Sequence, residues 1–243
     1  MKNLELNRNQ IKYIAIIAMI IDHIAMFFLS VGVTDASFSR IALYSVMRVI
    51  GRLTAPIMFY FLVEGYIHTS SKTKYAIRLW IFGLISQVPY ALSHNNKLMV
   101  LDFNVIITLA VTFLMLMAYE NIHNRILKIL IVFALIIATF CCDWGVLGPL
   151  MAWLFYKYKD DRKMQIKAYS IIGIIQIVSA AVFLGNNGQH WYGELWQAGL
   201  FLVIPFLLSY NGRKGNNAAI HKWIFYIVYP LHLLLFWFIK YKL

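Results

Sequence analysis

IKYIAIIAMIIDHIAMFFL, residues 11–29, is apolar from end to end except for Lys12 near its start and the pair Asp22-His23 in its interior. A run of about 20 apolar residues matches the hydrocarbon thickness of a bilayer, so this stretch reads as a membrane-crossing helix. The two polar residues make it informative. A charge at mid-membrane costs about 2.5–3.5 kcal/mol on insertion scales and therefore faces protein or a cavity. The helix must have partners.

The same apolar pattern recurs outward from this segment. It predicts helices over 11–29, 41–66, 75–92, 103–119, 125–141, 144–157, 166–184, 194–210 and 222–240. The composition agrees: 61% of the 243 residues are hydrophobic, 13% are charged, and the mean hydropathy is +0.69. The charged share is about half that of an ordinary soluble domain. The expected fold is all-α, a polytopic integral membrane protein of about nine transmembrane helices around a central polar cavity. No repeat or long linker divides it, so residues 1–243 read as one domain.

The net charge of +12 does not point to nucleic acid, because the cations fall in the gaps between apolar runs. Lys2, Arg8 and Lys12 precede the first helix, and only Arg40 follows it. Lys72, Lys74 and Arg78 then alternate with Lys97, Arg125 and Lys128 with no cation at Cys142-Asp143, and 157–167 with none in 185–193. This alternation places the N-terminus in the cytoplasm, with the first helix retained rather than cleaved as a signal. Richness in Lys, Asn and Ile fits a bacterial genome, hence a bacterial inner (cytoplasmic) membrane. Cys141 and Cys142 are adjacent and read as packing residues, and no spacing suits a metal.

Intramembrane polar residues define a candidate site. Asp22-His23 lies about 15 Å above the cytoplasmic start of helix 1. Arg48 and Arg52 share one face of helix 2 and reach a similar depth. His232 sits midway along the last helix. Eleven residues separate Lys12 from His23, three turns with about 20° of drift, so both project from one face about 16 Å apart. That separation suits an acyl-coenzyme A, with phosphates at Lys12 and Arg8 and the thioester at His23. Pro56 is expected to kink helix 2, and Glu64 to pair with Lys72 or Lys74. On the outer side Asp102, Asn104, Asp143 and Glu194, with Trp and Tyr residues nearby, form an acidic, aromatic mouth for an acceptor.

Asp22-His23, RVIGRLTAPIMFYFLVEGY (48–66), DFNVIITL (102–109), CDWGVLGPL (142–150) and YPLHL (229–233) together resemble the TraX family over nearly the whole chain. That family is similar to the broader acyltransferase 3 kind, where a basic residue precedes a helix-1 histidine by eleven positions, as Lys12 precedes His23. Arg48, Arg52, Pro56 and Gly65 match a second segment; Glu64 stands where the broader group has serine. The resemblance implies acetyl transfer from acetyl-CoA, with a pilin N-terminal amine as acceptor in the founding members. His23 is then the general base, or the nucleophile of an acetyl-histidine route, and Arg48 or Arg52 the oxyanion partner. Asp22, about 100° from His23, holds an arginine or reaches His232. Expected partners are acyl-CoA, a peptide or glycan acceptor and the lipid bilayer. The competing classes are a proton-coupled transporter and a non-catalytic envelope assembly factor.

Overall fold

The computed structural model describes residues 5–30, 37–98 and 101–243. Lys2, one of the cations used to orient the chain, lies outside the described residues. The apolar run around Asp22 forms α1 (Arg8–Ile24). A reciprocal cap starts it: the Asn7 carboxamide accepts the Gln10 N–H at 3.1 Å, and the Gln10 side chain accepts the Asn7 N–H at 2.9 Å. Directly after Asp22-His23 the helix widens into a π turn, Ala25–Leu29, a distortion that concentrates at functional sites.

The single helix expected at 41–66 is two: α2 (Phe38–Gly51) and α3 (Thr54–His68). Pro56 has no N–H to give the carbonyl four residues back, that of Arg52, and the ladder breaks at Arg52-Leu53. The proline's effect thus appears one turn before the proline and at the second arginine. The third, seventh and ninth expected spans are α4 (Lys72–Asn95), α8 (Arg162–Asn186) and α10 (Ala219–Lys242).

Five segments are long and apolar enough to cross a membrane: Arg8–Leu29, Phe38–His68, Lys72–Asn95, Arg162–Asn186 and Ala219–Lys242. The other four expected spans are shorter. They are α5 (Val105–Asn121), α6 (Arg125–Ala138), α7 (Leu147–Lys157), and a 3-10 helix (Leu195–Leu202) leading into α9 (Val203–Ser209). At 1.5 Å per residue, α7 covers only about 16 Å, half a hydrocarbon core. The architecture is all-α and polytopic. The described residues contain no strand, only isolated bridges at Leu6–Tyr210 and Phe103–Cys142.

The chain divides into two compact units, each discontinuous in sequence: Met1–Met58 with Asp160–His221, and Phe59–Lys159 with Lys222–Leu243. In the first, α1 and the π turn pack on α2, α2 on the 3-10 helix, and the 3-10 helix on α8. In the second, α5 is the hub against which α4, α6 and α7 pack. Ten residues of α5 are buried and none of α6 is. Ile174, Ile175 and Val178 of α8 are likewise exposed. These outward apolar faces are what lipid covers in a membrane-spanning fold.

Candidate functional site

The first unit assembles the strongest polar cluster. Asp22 of α1 is 8% exposed, and Arg48 and Arg52, at the end of α2 and in the break, are 8% and 9% exposed. Asp22 Oδ1 accepts from Arg48 Nη1 at 2.8 Å, and Asp22 Oδ2 from Arg52 Nη2 at 3.2 Å. One carboxylate therefore holds both guanidiniums. Fixing an arginine, one of the roles expected for Asp22, is present here for both arginines. On the other side stands Trp196, its ring centroid 4.3 Å from the Arg48 guanidinium carbon and 4.7 Å from that of Arg52. The ring's negative face attracts cations most when they are shielded from water.

Two glycines let the backbones close on this cluster. A Cβ at Gly51 would lie 2.0 Å from Asp22 Oδ1, and one at Gly199 would lie 2.1 Å from the Val49 carbonyl oxygen. Gly51 admits α1 to α2, and Gly199 admits the 3-10 helix bearing Trp196. With no side chain at either position, three chain segments converge on the arginines.

His23 is half-buried on α1, one residue past Asp22, with its ring centroid 5.9 Å from that of Phe27 in the π turn. Lys12 is also half-buried on α1, while Ala15, Ile16 and Met19 between them are in the core. Arg8 opens the helix, and its N–H donates to the Arg213 carbonyl at 2.9 Å. Asn9 Nδ2 donates to the Asn216 carbonyl at 2.7 Å, and Tyr13 Oη meets His221 Nδ1 at 2.8 Å. The segment around Arg213 and Lys214 thus wraps the start of α1 and adds cations beside Arg8. Glu194 also belongs to this unit, accepting from Gln197 Nε2 at 3.2 Å beside Trp196.

The second unit holds the remaining expected site residues. Asp102 is exposed. Asn104 is completely buried and its carboxamide is used within the chain: Nδ2 donates to the Gly83 carbonyl and to Gln87 Oε1, both at 2.8 Å, while Oδ1 caps α5. Its work is to hold α4 against α5. Asp143 lies in a tight turn where Trp144 (φ 58°) and Val146 (φ 60°) adopt positive φ, a strained backbone for a β-branched residue. His232 Nδ1 donates to the Val228 carbonyl at 2.8 Å, which leaves Nε2 as its basic nitrogen. Glu64 lies 3.9 Å from His68, whereas Lys72 pairs with Glu120, which also accepts from Tyr66 and Tyr156.

The TraX protein family model matches residues 7–240. The chain belongs to the TraX family. It is also 34% identical over 244 residues to the probable fimbrial assembly protein FimC, serogroup H1, of Dichelobacter nodosus, covering 96% of each chain. No solved structure matches this TraX chain.

Sequence reasoning on this TraX protein missed Trp196, Gly51 and Gly199. Trp196 lies within an apolar run where nothing local distinguishes it, and a glycine's reason for being small is visible only once its neighbour is placed. His94 was missed too: within ALSHNN it resembles loop, yet it lies in the last turn of α4 with Nδ1 3.0 Å from the Tyr90 carbonyl. Burial raises the Cys142 thiol above its ordinary value, which disfavours a thiolate nucleophile there.

Proposed function

We propose that this TraX protein is a membrane-embedded acyltransferase that passes an acetyl group from cytoplasmic acetyl-CoA to an amine or hydroxyl acceptor. The observation that carries this reading is the pair of buried guanidiniums, fixed by Asp22 and Trp196, at the helix that also bears His23 and Lys12. Lys12 and Arg8 meet the donor's phosphates from the cytoplasmic side, with the N-terminus inside and the protein in the bacterial inner membrane. His23 takes the proton of the acceptor as its nitrogen or oxygen bonds the acetyl carbon. As the carbon–sulfur bond breaks, the imidazolium returns that proton to the leaving sulfur. Arg48 and Arg52 stabilise the negative charge developing on the carbonyl oxygen, and a fixed charge is most effective where water is excluded.

Glu194, in the unit that also carries His23, is proposed for the acceptor side. The similarity to the Dichelobacter protein, a probable fimbrial assembly protein, favours a pilin-like or other envelope peptide. The test is binding and slow hydrolysis of acetyl-CoA by the purified protein, followed by transfer to candidate envelope peptides. His23→Ala is expected to abolish turnover while membrane insertion is retained. If the folded protein binds no acetyl-CoA, the acyltransferase reading falls. Gradient-driven flux in proteoliposomes then separates the carrier from the assembly factor.

A further inference from the structure

We infer that one end of α5, α6 and α7, in the second unit, is a binding site for an anionic phospholipid. Lys128 stands in the first turn of α6, Lys157 closes α7, and Lys159 follows it. Each ammonium rests on a ring. Lys128 Nζ lies 5.4 Å from the Tyr119 centroid, Lys157 Nζ 4.8 Å from that of Trp153, and Lys159 Nζ 5.3 Å from that of Tyr156. The rings form one panel, with Tyr119 T-shaped to Trp153 at 6.3 Å and to Tyr156 at 6.1 Å. α5 supplies Tyr119, and α6 and α7, both packed on α5, bring the lysines to it.

The panel carries excess positive charge. Glu120, beside Tyr119, is engaged by Lys72, Tyr66 and Tyr156. Among the described residues, no carboxylate forms an ion pair with Lys128, Lys157 or Lys159. Lysine binds phosphate as a point charge, and three ammonium groups held on ring faces suit one. They also select against choline-type headgroups, because the ring faces that would receive a quaternary ammonium already carry lysines.

The carrier of that phosphate is read from α6. None of its residues is buried. Even Ile131, Val132, Leu135 and Ile136, on the side of the helix that bears Lys128, stay half-exposed. An apolar seam left open along that side, with cations at its end, matches an acyl chain beneath a headgroup. A soluble phosphate would have no use for the seam. Tyr119, Trp153 and Tyr156 then lie where interfacial aromatics lie in membrane proteins.

The inference does not depend on acetyl transfer, and its test needs no thioester. The purified full-length protein in a neutral detergent is titrated with phosphatidylglycerol, with phosphatidylcholine of the same chains, and with soluble glycerol 3-phosphate. Thermal unfolding and native mass spectrometry read the binding. Phosphatidylglycerol is expected to raise the Tm saturably and to remain bound in the mass spectrum, and the other two to do neither. Each lysine near an anionic headgroup is worth about fivefold in affinity, so replacing Lys128, Lys157 and Lys159 together with Gln should weaken binding about a hundredfold. Replacing Lys97 and Lys242 with Gln, beyond the far ends of α4 and α10, should leave it at the parental value.

Equal stabilisation by the two lipids, or parental binding in the triple variant, would overturn the inference. An equal response to glycerol 3-phosphate would also overturn it, by making the ligand a soluble phosphate. If the triple variant does not fold, the three single variants decide, each expected to bind about fivefold more weakly.

Discussion

Replacing Gly51 with alanine probes the approach of α1 to α2. The added carbon would stand 2.0 Å from Asp22 Oδ1 and 2.3 Å from both Asp22 Cβ and Cγ. Ordinary van der Waals contact begins near 3.4 Å, so α1 and α2 must part by about 1.4 Å. The Asp22–Arg48 contact of 2.8 Å cannot survive a displacement of that size. Overpacking costs about 1–3 kcal/mol, and misplacing one partner of a buried ion pair adds to it. The better helix propensity of alanine returns at most about 1 kcal/mol. A net loss of about 2–4 kcal/mol is expected, a fall in Tm of about 4–16 °C for a chain of this size.

The assay is thermal unfolding in detergent beside acetyl transfer, with Gly185→Ala as control. A Cβ at Gly185 meets nothing within 4 Å, so that variant should match or slightly exceed the parent. If Gly51→Ala unfolds at the parental temperature with full activity, the helices are not in close contact at Asp22 and the account of the cluster is wrong.

Lys12→Ala should weaken acetyl-CoA binding about tenfold, roughly the worth of one charge-assisted contact; isothermal titration measures it. Asn104→Ala should destabilise by about 2–4 kcal/mol, since a helix cap and two buried hydrogen bonds go together. Protein that does remain folded should keep its turnover, which a steady-state assay on the folded fraction checks. Val146→Gly should raise stability by about 1 kcal/mol by relieving the positive φ at that turn, seen as a higher Tm.

Much of the architecture was legible in the sequence because membrane helices announce themselves by length. α1, α4, α8 and α10 each begin or end within four residues of the apolar runs that predict them. The short helices were less legible. The stretch 194–210 is apolar apart from Glu194, Gln197 and Ser209, and nothing in its hydropathy says that its first half winds as a 3-10 helix. Glycine at 199 permits that half to lie on the carbonyl of Val49, a long-range contact that no local pattern encodes.

In the cluster, Asp22 and the arginines stood out because charges are rare in apolar runs, and spacing placed both arginines on one face. Trp196 could not be found that way. Its role depends on a ring plane meeting guanidiniums nearly 150 positions earlier. By sequence Glu64 had two cations within reach, Lys72 and Lys74, but Lys72 pairs with Glu120, where Tyr66 and Tyr156 converge and build a polar knot.

The order in which the ribosome releases these segments gives the Asp22 cluster a meaning for biogenesis. Phe38–His68 carries Arg48 and Arg52 into an apolar span, a burden of about 5–7 kcal/mol if both entered the bilayer unaccompanied. Trp196 is synthesised more than 140 residues later and cannot help at that moment. Asp22 can, because α1 has already emerged. The first helix thus acts as an intramolecular insertion chaperone for the second, and the two should leave the translocon as a pair. A nascent chain cut off shortly after His68 should integrate its second span when residue 22 is aspartate. When residue 22 is leucine, it should stall or slip through to the far side.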